Sequence, residues 1–136
     1  MALSEKIGLV KEFHEAFQVE NGLVPTAKLS TQDVLLRHRL QAEENEEYLN
    51  ACNEENLTEI ADALGDQLYI LFGTILKHGL QDKIEEVFDE IHRSNMSKLD
   101  KNGQPIFRED GKVLKSDQYF KPNIDAILKK DYDLSK

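Results

Sequence analysis

The chain has little of several features that define common protein classes. Cysteine occurs once, at Cys52, which excludes an internal disulfide and is compatible with a reducing compartment. Lysine and arginine number 17 against 26 aspartates and glutamates, giving a net charge of −9. Because nucleic acids are bound through basic surfaces, we expect no nucleic-acid partner. No apolar run is long enough to span a membrane or to act as a signal peptide, so we expect a cytoplasmic protein without a membrane partner.

Several catalytic motifs are also missing. The four histidines show no zinc-ligand spacing with Cys52 or with one another. A di-iron bundle needs Glu-x-x-His on each of two helices, and the nearest string is a single Asp89-x-x-His92. The glycine-rich phosphate loops and the serine-hydrolase motif do not occur. Zinc, di-iron and the common nucleotide-binding folds are therefore disfavoured.

Apolar residues recur at the 3.6-residue period of amphipathic helices along most of the chain. The pattern predicts helices at about 4–19, 31–52, 57–78 and 82–95, capped at three of their starts by Ser4, Thr31 and Asp82. The turn at 53–56 is short, so the second and third helices should be antiparallel neighbours. We predict an all-α fold, an antiparallel bundle of four main helices, in a single domain covering 1–136 with core helices at about 4–95.

Residues 96–136 differ in composition, being rich in Gly, Pro, Asp and Lys and lacking helical periodicity. Asp110-Gly111, between the apolar pairs at 106–107 and 113–114, predicts a small hairpin. Residues 124–128 predict a last helical turn. Aromatic residues in the segment favour order, and we expect a long C-terminal loop and hairpin segment.

Carboxylates form rows on the second and third helices. Glu44 and Glu47 lie roughly 60° apart around their helix, and Asp62 and Asp66 roughly 40° apart. Glu59 falls within about 20° of Asp66. In an antiparallel pair the rows can converge on one hard cation, and Mg²⁺ prefers carboxylate oxygens.

The alternative interpretation is that the acid rows are solvated faces of the helices. Two features argue against it. On the second helix the acids share a face with apolar residues, and the third helix is apolar on all sides from Leu68 to Leu76, which is typical of a buried helix. Crowded, partly buried carboxylates raise one another's pKa unless a cation is bound. The same apolar stretch needs more cover than one short chain provides, so we expect a homo-oligomer.

The end of the fourth helix carries donors suited to phosphate oxygens. Its apolar row consists of Ile84, Phe88 and Ile91. At the same spacing the row continues to Asn95 and Lys98, which we therefore expect to face inward. Arg93 adds a forked donor. The alternative is that these basic residues only complement the helix dipole.

Three strings together carry a family resemblance: EENEEYL, EIADALGDQLYIL and HRSNMSK. They resemble the all-α NTP pyrophosphohydrolase superfamily, which includes MazG-like proteins, dimeric dUTPases and phosphoribosyl-ATP pyrophosphohydrolases. The phosphoribosyl-ATP pyrophosphohydrolase-like branch is the most similar, because a tyrosine follows its second acidic motif, as Tyr69 does here, and NMSK leads into a GKVLK…YF tail. The resemblance covers about residues 35–125 and implies a MazG-like, oligomeric helical fold.

The resemblance also implies a set of site residues. Glu44-x-x-Glu47, preceded by Glu43, matches the first metal-binding motif. The second motif aligns in two ways, with Asp66 as its terminal Asp or as Glu59-x-x-Asp62. We expect four metal ligands, Glu44, Glu47, Asp62 and Asp66. The catalytic acid is expected to be Glu43 or Glu59. The residues expected to bind phosphate are Asn95 and Lys98, with Arg93.

The expected function is Mg²⁺-dependent hydrolysis of a nucleoside triphosphate, or a related nucleotide, between the α and β phosphates to give a monophosphate and pyrophosphate. Mn²⁺ is a possible substitute for Mg²⁺. The expected assembly is a homodimer or homotetramer. Two alternatives stay open: phosphoribosyl-ATP hydrolysis in histidine synthesis, and a non-catalytic acidic helical interaction module.

Overall fold

The computed structural model describes residues 2–130, and its elements are mostly helical. The elements are α1 (Leu3–Ala16), α2 (Thr31–Asn53), α3 (Leu57–Lys77), α4 (Ile84–Met96), β1 (Ile106–Phe107), β2 (Val113–Leu114) and α5 (Ile124–Lys129). The all-α prediction with four main helices is confirmed. Within the described range, no helix is both long and apolar enough to cross a membrane.

The C-terminal elements match their predicted positions. β1 and β2 pair antiparallel, with Ile106 opposite Leu114 and Phe107 opposite Val113, and Gly111 between them has a positive φ of 88°. The last helical turn is α5, capped by the Asn123 side chain. The final residues of the predicted tail, 131–136, lie outside the described residues.

The three predicted helix caps are wrong by one or two positions. Ala2 precedes α1, and Glu5 accepts its backbone N–H, so Ser4 lies inside the first turn. Ser30 caps α2 by accepting the N–H of Asp33, a bond that makes Thr31 the first helical residue. Asp82 lies in the turn before α4, which begins after Lys83. The start of a helix therefore depends on which nearby oxygen accepts hydrogen bonds from the backbone N–H groups of the first turn.

The chain divides into two compact units, Met1–Asp82 and Lys83–Lys136, called here the N-terminal and C-terminal units. The boundary falls before α4, whereas the sequence suggested a division after it. α4 therefore groups with the loop and hairpin segment, and α1, α2 and α3 make up the other unit. The single-domain prediction stays a prediction.

In the N-terminal unit, α2 and α3 pack along their length and α1 packs against α3. The Gln41 amide donates to the carbonyl of Gln67 at 3.2 Å, and the Arg37 guanidinium donates to the carbonyl of Ile70 at 2.7 Å and to the hydroxyl of Thr74 at 3.0 Å. As residue numbers rise on α2 they fall on α3, so the predicted antiparallel arrangement is present. These bonds fix the register of the two helices that carry the acids.

Gly73 on α3 makes the close approach of two side chains possible. A Cβ at this position would lie 2.6 Å from Nη2 of Arg37 and 3.0 Å from Nε2 of His14. His14 is buried, and its Nδ1 is 2.6 Å from the Asn21 side-chain oxygen. The glycine therefore creates the space into which Arg37 and His14 fit.

In the C-terminal unit the buried face of α4 is polar, contrary to the predicted inward apolar row. Lys83 and Ser94 are buried, whereas Phe88 is 65% exposed and Ile91 39% exposed. The Lys83 ammonium donates to the carbonyls of Ile127 and Lys130, and the Ser94 hydroxyl donates to the carbonyl of Phe120 at 2.8 Å. Backbone groups of the following segment thus supply the hydrogen bonds that allow these polar side chains to be buried.

The apolar half of α3 is not covered within one chain. An exposed leucine row consists of Leu57, Leu64, Leu68 and Leu71. By helical geometry it lies roughly opposite the acids of the same helix. Among the large residues of the apolar stretch 68–76, only Ile75 and Leu76 are buried, and the leucine row is exposed in the single chain.

Candidate functional site

The four carboxylates predicted as metal ligands form one electrostatic cluster, called here the acid cluster. Glu44, on α2, is half-buried. Burial raises its pKa to about 7, with further contributions from hydrogen bonding to Glu47 and from the charges of Glu47, Asp66 and Asp62. Burial also raises the pKa of Asp66, and the charges of Asp62 and Glu47 add to the effect. Both helices therefore contribute acids to the same region, and the role of these acids as metal ligands stays a prediction.

In the described part of the chain, the acid cluster has no cationic partner. Among residues 2–130, none of its four carboxylates forms an ion pair with lysine or arginine. Oε2 of Glu44 is shielded from solvent and finds no hydrogen-bond partner within residues 2–130. A buried acceptor of this kind costs free energy unless the carboxyl is protonated or bound to a cation.

The carboxylates are not arranged as a ready-made metal cage. In the described part of the chain, no group of three or more His, Cys, Asp or Glu side chains is positioned to hold a metal ion. Repulsion among four acids without a cation favours rotamers that keep their oxygens apart, and a protonated Glu44 relieves part of it. The donor set fits Mg²⁺ in chemistry, since every donor is a carboxylate oxygen, but side-chain rotation is required before the oxygens share a ligand.

The two candidates for the catalytic acid occupy different surroundings. Glu43 is mostly exposed and pairs with Arg39 one turn earlier, at 3.7 Å. Glu59 lines a cleft of about 250 Å³ together with Glu47, Asn50, Ala51 and Glu54. Glu59 therefore shares a cleft with a member of the acid cluster, whereas Glu43 is engaged at the surface.

Asn50 is a residue of this cleft that the sequence interpretation missed. It lies three residues after Glu47, so the acid row of α2 continues at helical spacing into an amide. The amide offers both a donor and an acceptor beside Glu47. Extending the row by one more turn would have identified it.

The three residues predicted to bind phosphate all belong to the C-terminal unit. Arg93 pairs with Glu90 at 2.7 Å and lies over the Phe120 ring at 4.5 Å, so its guanidinium already holds the segment after α4. Asn95 is exposed and Lys98 is half-buried at the end of α4. Because the apolar row that was expected to carry Asn95 and Lys98 inward is exposed, their phosphate-binding role stays a prediction.

Comparison with known proteins gives two findings. A family model described as phosphoribosyl-ATP pyrophosphohydrolase matches residues 10–95, a range that includes α2, α3 and the whole acid cluster. The uncharacterized protein L479 of Acanthamoeba polyphaga mimivirus is 34% identical over 110 residues, which are 79% of this chain and 41% of the viral protein. The chain thus spans about two fifths of the length of that relative.

Proposed function

Because this chain belongs to the phosphoribosyl-ATP pyrophosphohydrolase family, we propose that it hydrolyses a nucleotide between its α and β phosphates in a Mg²⁺-dependent reaction. The products are a monophosphate and pyrophosphate. A nucleoside triphosphate is the proposed substrate class, and phosphoribosyl-ATP is the alternative that the family name favours.

One observation carries the proposal: Glu44 interacts with the charges of Glu47, Asp62 and Asp66, and its shielded Oε2 has no hydrogen-bond partner among the described residues. Four acids without a matching base are unfavourable in a structural role, because replacing any of them with an amide would relieve repulsion. They suit a site whose charge is balanced by a bound cation.

The four carboxylates of the acid cluster are the proposed ligands of Mg²⁺, with Mn²⁺ as a possible substitute. When bound, the ion neutralises charge on phosphate oxygens and lowers the pKa of a coordinated water. The protein contributes the register that holds α2 against α3, through Arg37 and Gln41. Glu59 is the favoured acid for orienting the attacking water, because it shares the cleft with Glu47.

The catalytic role of Glu43 is the weaker alternative, since its carboxylate pairs with Arg39. Asn95 and Lys98, with Arg93, are proposed to bind the phosphates of the substrate. Comparing Lys98→Met with Lys101→Met tests this role: Lys98→Met is expected to raise the KM for the nucleotide, whereas the exposed Lys101 should be neutral.

The activity is tested with a panel of nucleoside triphosphates, phosphoribosyl-ATP and modified nucleotides. Pyrophosphate and orthophosphate are separated and measured directly by ion chromatography, without a coupling enzyme. We expect pyrophosphate release that depends on Mg²⁺ and is restored by Mn²⁺ after chelation. Release of orthophosphate alone, or activity that persists in excess chelator, contradicts the proposal.

A non-catalytic interaction module is the alternative from another class. Calorimetric titration with Mg²⁺ separates the two, since a solvated acidic face would give no stoichiometric binding. A cation site with a defined stoichiometry but no hydrolysis of any nucleotide in the panel would favour a binding role.

A homo-oligomer is proposed on the basis of the leucine row of α3, whose four members are all exposed in one chain. Association of two copies through this row would remove its apolar surface from water. Light scattering at micromolar concentration is expected to show a dimer or tetramer, and Leu68→Glu is expected to dissociate it. A monomeric wild-type protein overturns this part of the proposal.

A further inference from the structure

Three aromatic rings cluster where α1 contacts α3. The Phe13 ring centroid lies 4.5 Å from that of Phe17 and 5.6 Å from that of Tyr69, and the Phe13 and Tyr69 rings meet edge to face at 81°. The residues of α1 that are buried are Ile7, Val10 and His14. Phe13 and Phe17 are therefore held by other rings at the edge of the core, with part of each ring in solvent.

The aromatic cluster continues the stripe of α3 that carries two of the acids. This stripe consists of Asp62, Asp66, Tyr69 and Gly73. Spacings of four, three and four residues keep its members within about 60° around the helix axis. Tyr69 lies about 4.5 Å beyond Asp66 along the axis, at 1.5 Å per residue. His14 of α1 approaches the stripe at Gly73, so the rings begin about one helical turn from the acid cluster.

The exposed area of the rings is too small for a stable subunit contact. Phe13, Phe17 and Tyr69 are 42%, 67% and 42% exposed. With side chains of about 150–250 Å² each, they present roughly 300 Å². A stable protein interface needs about 800 Å² on each partner. The rings are, however, large enough to stack against one planar heterocycle. Any nucleic-acid base can stack on aromatic side chains in this way, whichever polar groups it carries at its edges.

We propose that Phe13, Phe17 and Tyr69 form the surface on which the base of the nucleotide stacks, with its phosphates directed along α3 toward Asp66 and Asp62. This inference rests on the proposed function. It makes the stripe of α3 a continuous binding surface, apolar for the base at one end and acidic for the metal-bound phosphates at the other. The Tyr69 hydroxyl adds a polar group at the apolar end.

Equilibrium binding to the wild-type protein and to Phe13→Leu and Phe17→Leu tests the proposal. Leucine keeps an apolar side chain but removes the aromatic face. Affinity is measured by calorimetry in Mg²⁺ with α,β-methylene analogues of the nucleoside triphosphates and with inorganic triphosphate, which has the phosphate chain and no base. Phe88→Leu is the control, because Phe88 on α4 is 65% exposed, close to Phe17 and more exposed than Phe13, and belongs to no proposed site.

We expect the wild type to bind an analogue more tightly than inorganic triphosphate. Phe13→Leu should weaken binding of the analogue about 10-fold and leave inorganic triphosphate unchanged. Phe17→Leu should have a similar, smaller effect, and Phe88→Leu none.

Three results would overturn the proposal: equal or absent binding of analogue and inorganic triphosphate by the wild type, parallel loss of both ligands in Phe13→Leu, or a change of oligomeric state in that variant by light scattering. Failure of the proposed hydrolysis is seen separately, as absence of pyrophosphate release from every nucleotide. Binding of the analogues tests the stacking proposal even if the protein does not hydrolyse the corresponding nucleotides.

Discussion

The two units of the chain differ in how their charges are balanced. Residues 1–82 contain six lysines and arginines against fifteen aspartates and glutamates, and residues 83–136 contain eleven of each. The whole net charge of −9 therefore resides in the N-terminal unit, and the C-terminal unit is neutral. The acid cluster lies in the unit that carries this charge surplus, which agrees with the proposed cation site.

Two glutamates show the same difference at the level of single groups. Burial raises the pKa of Glu44 to about 7 in the N-terminal unit. In the C-terminal unit, the backbone N–H of Asn123 and the guanidinium of Arg93 lower the pKa of Glu90. Glu90 accepts the Asn123 N–H at 2.8 Å. Hydrogen-bond donors favour the ionised form of a carboxylate, whereas neighbouring carboxylates favour its protonated form.

The largest expected effect is on activity, from Glu44→Gln. Losing a proposed ligand should lower the Mg²⁺-dependent rate at least about 100-fold, because even the groups that only orient metal ligands contribute 10–100-fold. The metal-free variant should be no less stable than the wild type, since the amide removes repulsion. Pyrophosphate release and thermal unfolding are the two measurements.

Glu46→Gln is the control for that substitution. Glu46 is exposed on α2 between the two acids of the first motif. Its variant should keep the wild-type rate. Equal losses in both variants would mean that overall acidity, and not the acid cluster, supports activity, and the contrast between the units would lose its functional meaning.

The next largest effect is expected from Gly73→Ala, which tests the packing of the N-terminal unit. The added methyl group would displace Arg37 from its bond to Ile70 and press on His14, lowering the free energy of unfolding by about 2 kcal/mol. Gly65→Ala, in the same helix with no atom within 4 Å of its Cβ, should instead add roughly 0.5–1 kcal/mol. Urea unfolding distinguishes these signs.

Lys83→Met tests the polar interior of the C-terminal unit. The substitution removes the ammonium that donates to the carbonyls of Ile127 and Lys130, and we expect α5 to be destabilised by about 1–2 kcal/mol. Faster amide hydrogen exchange in α5, with α2 and α3 unchanged, is the expected pattern. Lys129→Met removes an exposed ion pair with Asp125 and should have almost no effect.

The smallest expected effect is on the pH dependence of stability. Because the pKa of Glu44 in the folded protein lies above its ordinary value of 4.5, the metal-free protein should lose this group's contribution to stability as pH rises from about 4.5 through 7. Glu90 acts in the opposite sense. Because its pKa is lowered, it contributes stability when the pH is above the ordinary pKa of a glutamate, and this contribution is lost as the pH falls.

Melting temperatures of wild type, Glu44→Gln and Glu90→Gln across pH 4–8 separate the two contributions. Mg²⁺ should raise the wild-type melting temperature more at pH 8 than at pH 6, because it competes with the proton on Glu44. A Mg²⁺-induced change in melting temperature that is independent of pH would mean that Mg²⁺ does not compete with a proton on Glu44.

The sequence was sufficient for the parts of the molecule that follow from local periodicity. The helices, the hairpin around Asp110-Gly111 and the grouping of Glu44 with Asp62 and Asp66 depend on spacing along one helix or on a short turn. The buried face of α4 could not be predicted in this way. Lys83 and Ser94 are buried because backbone carbonyls more than 25 residues later accept their hydrogen bonds, and no periodicity encodes that.

The site itself was predictable only in outline. Acid spacing predicted which carboxylates interact electrostatically, whereas the positions of their oxygens depend on side-chain rotamers that spacing does not specify. The aromatic cluster also escaped the sequence interpretation, because Phe13 and Tyr69 are 56 positions apart and meet only through the packing of α1 on α3. Contacts between distant helices are the information that spacing lacks.

The turn between α2 and α3 has a kinetic consequence. It is short, with Glu55 at a positive φ of 52° and Asn56 capping α3, so all four acids lie within one helical hairpin, from Glu44 to Asp66. Local contacts form early in folding, and mutual repulsion should therefore slow the first steps of the refolding reaction. Refolding measured by stopped flow should be faster with Mg²⁺ present. An unchanged rate would mean that the helical hairpin forms before repulsion between its carboxylates becomes significant.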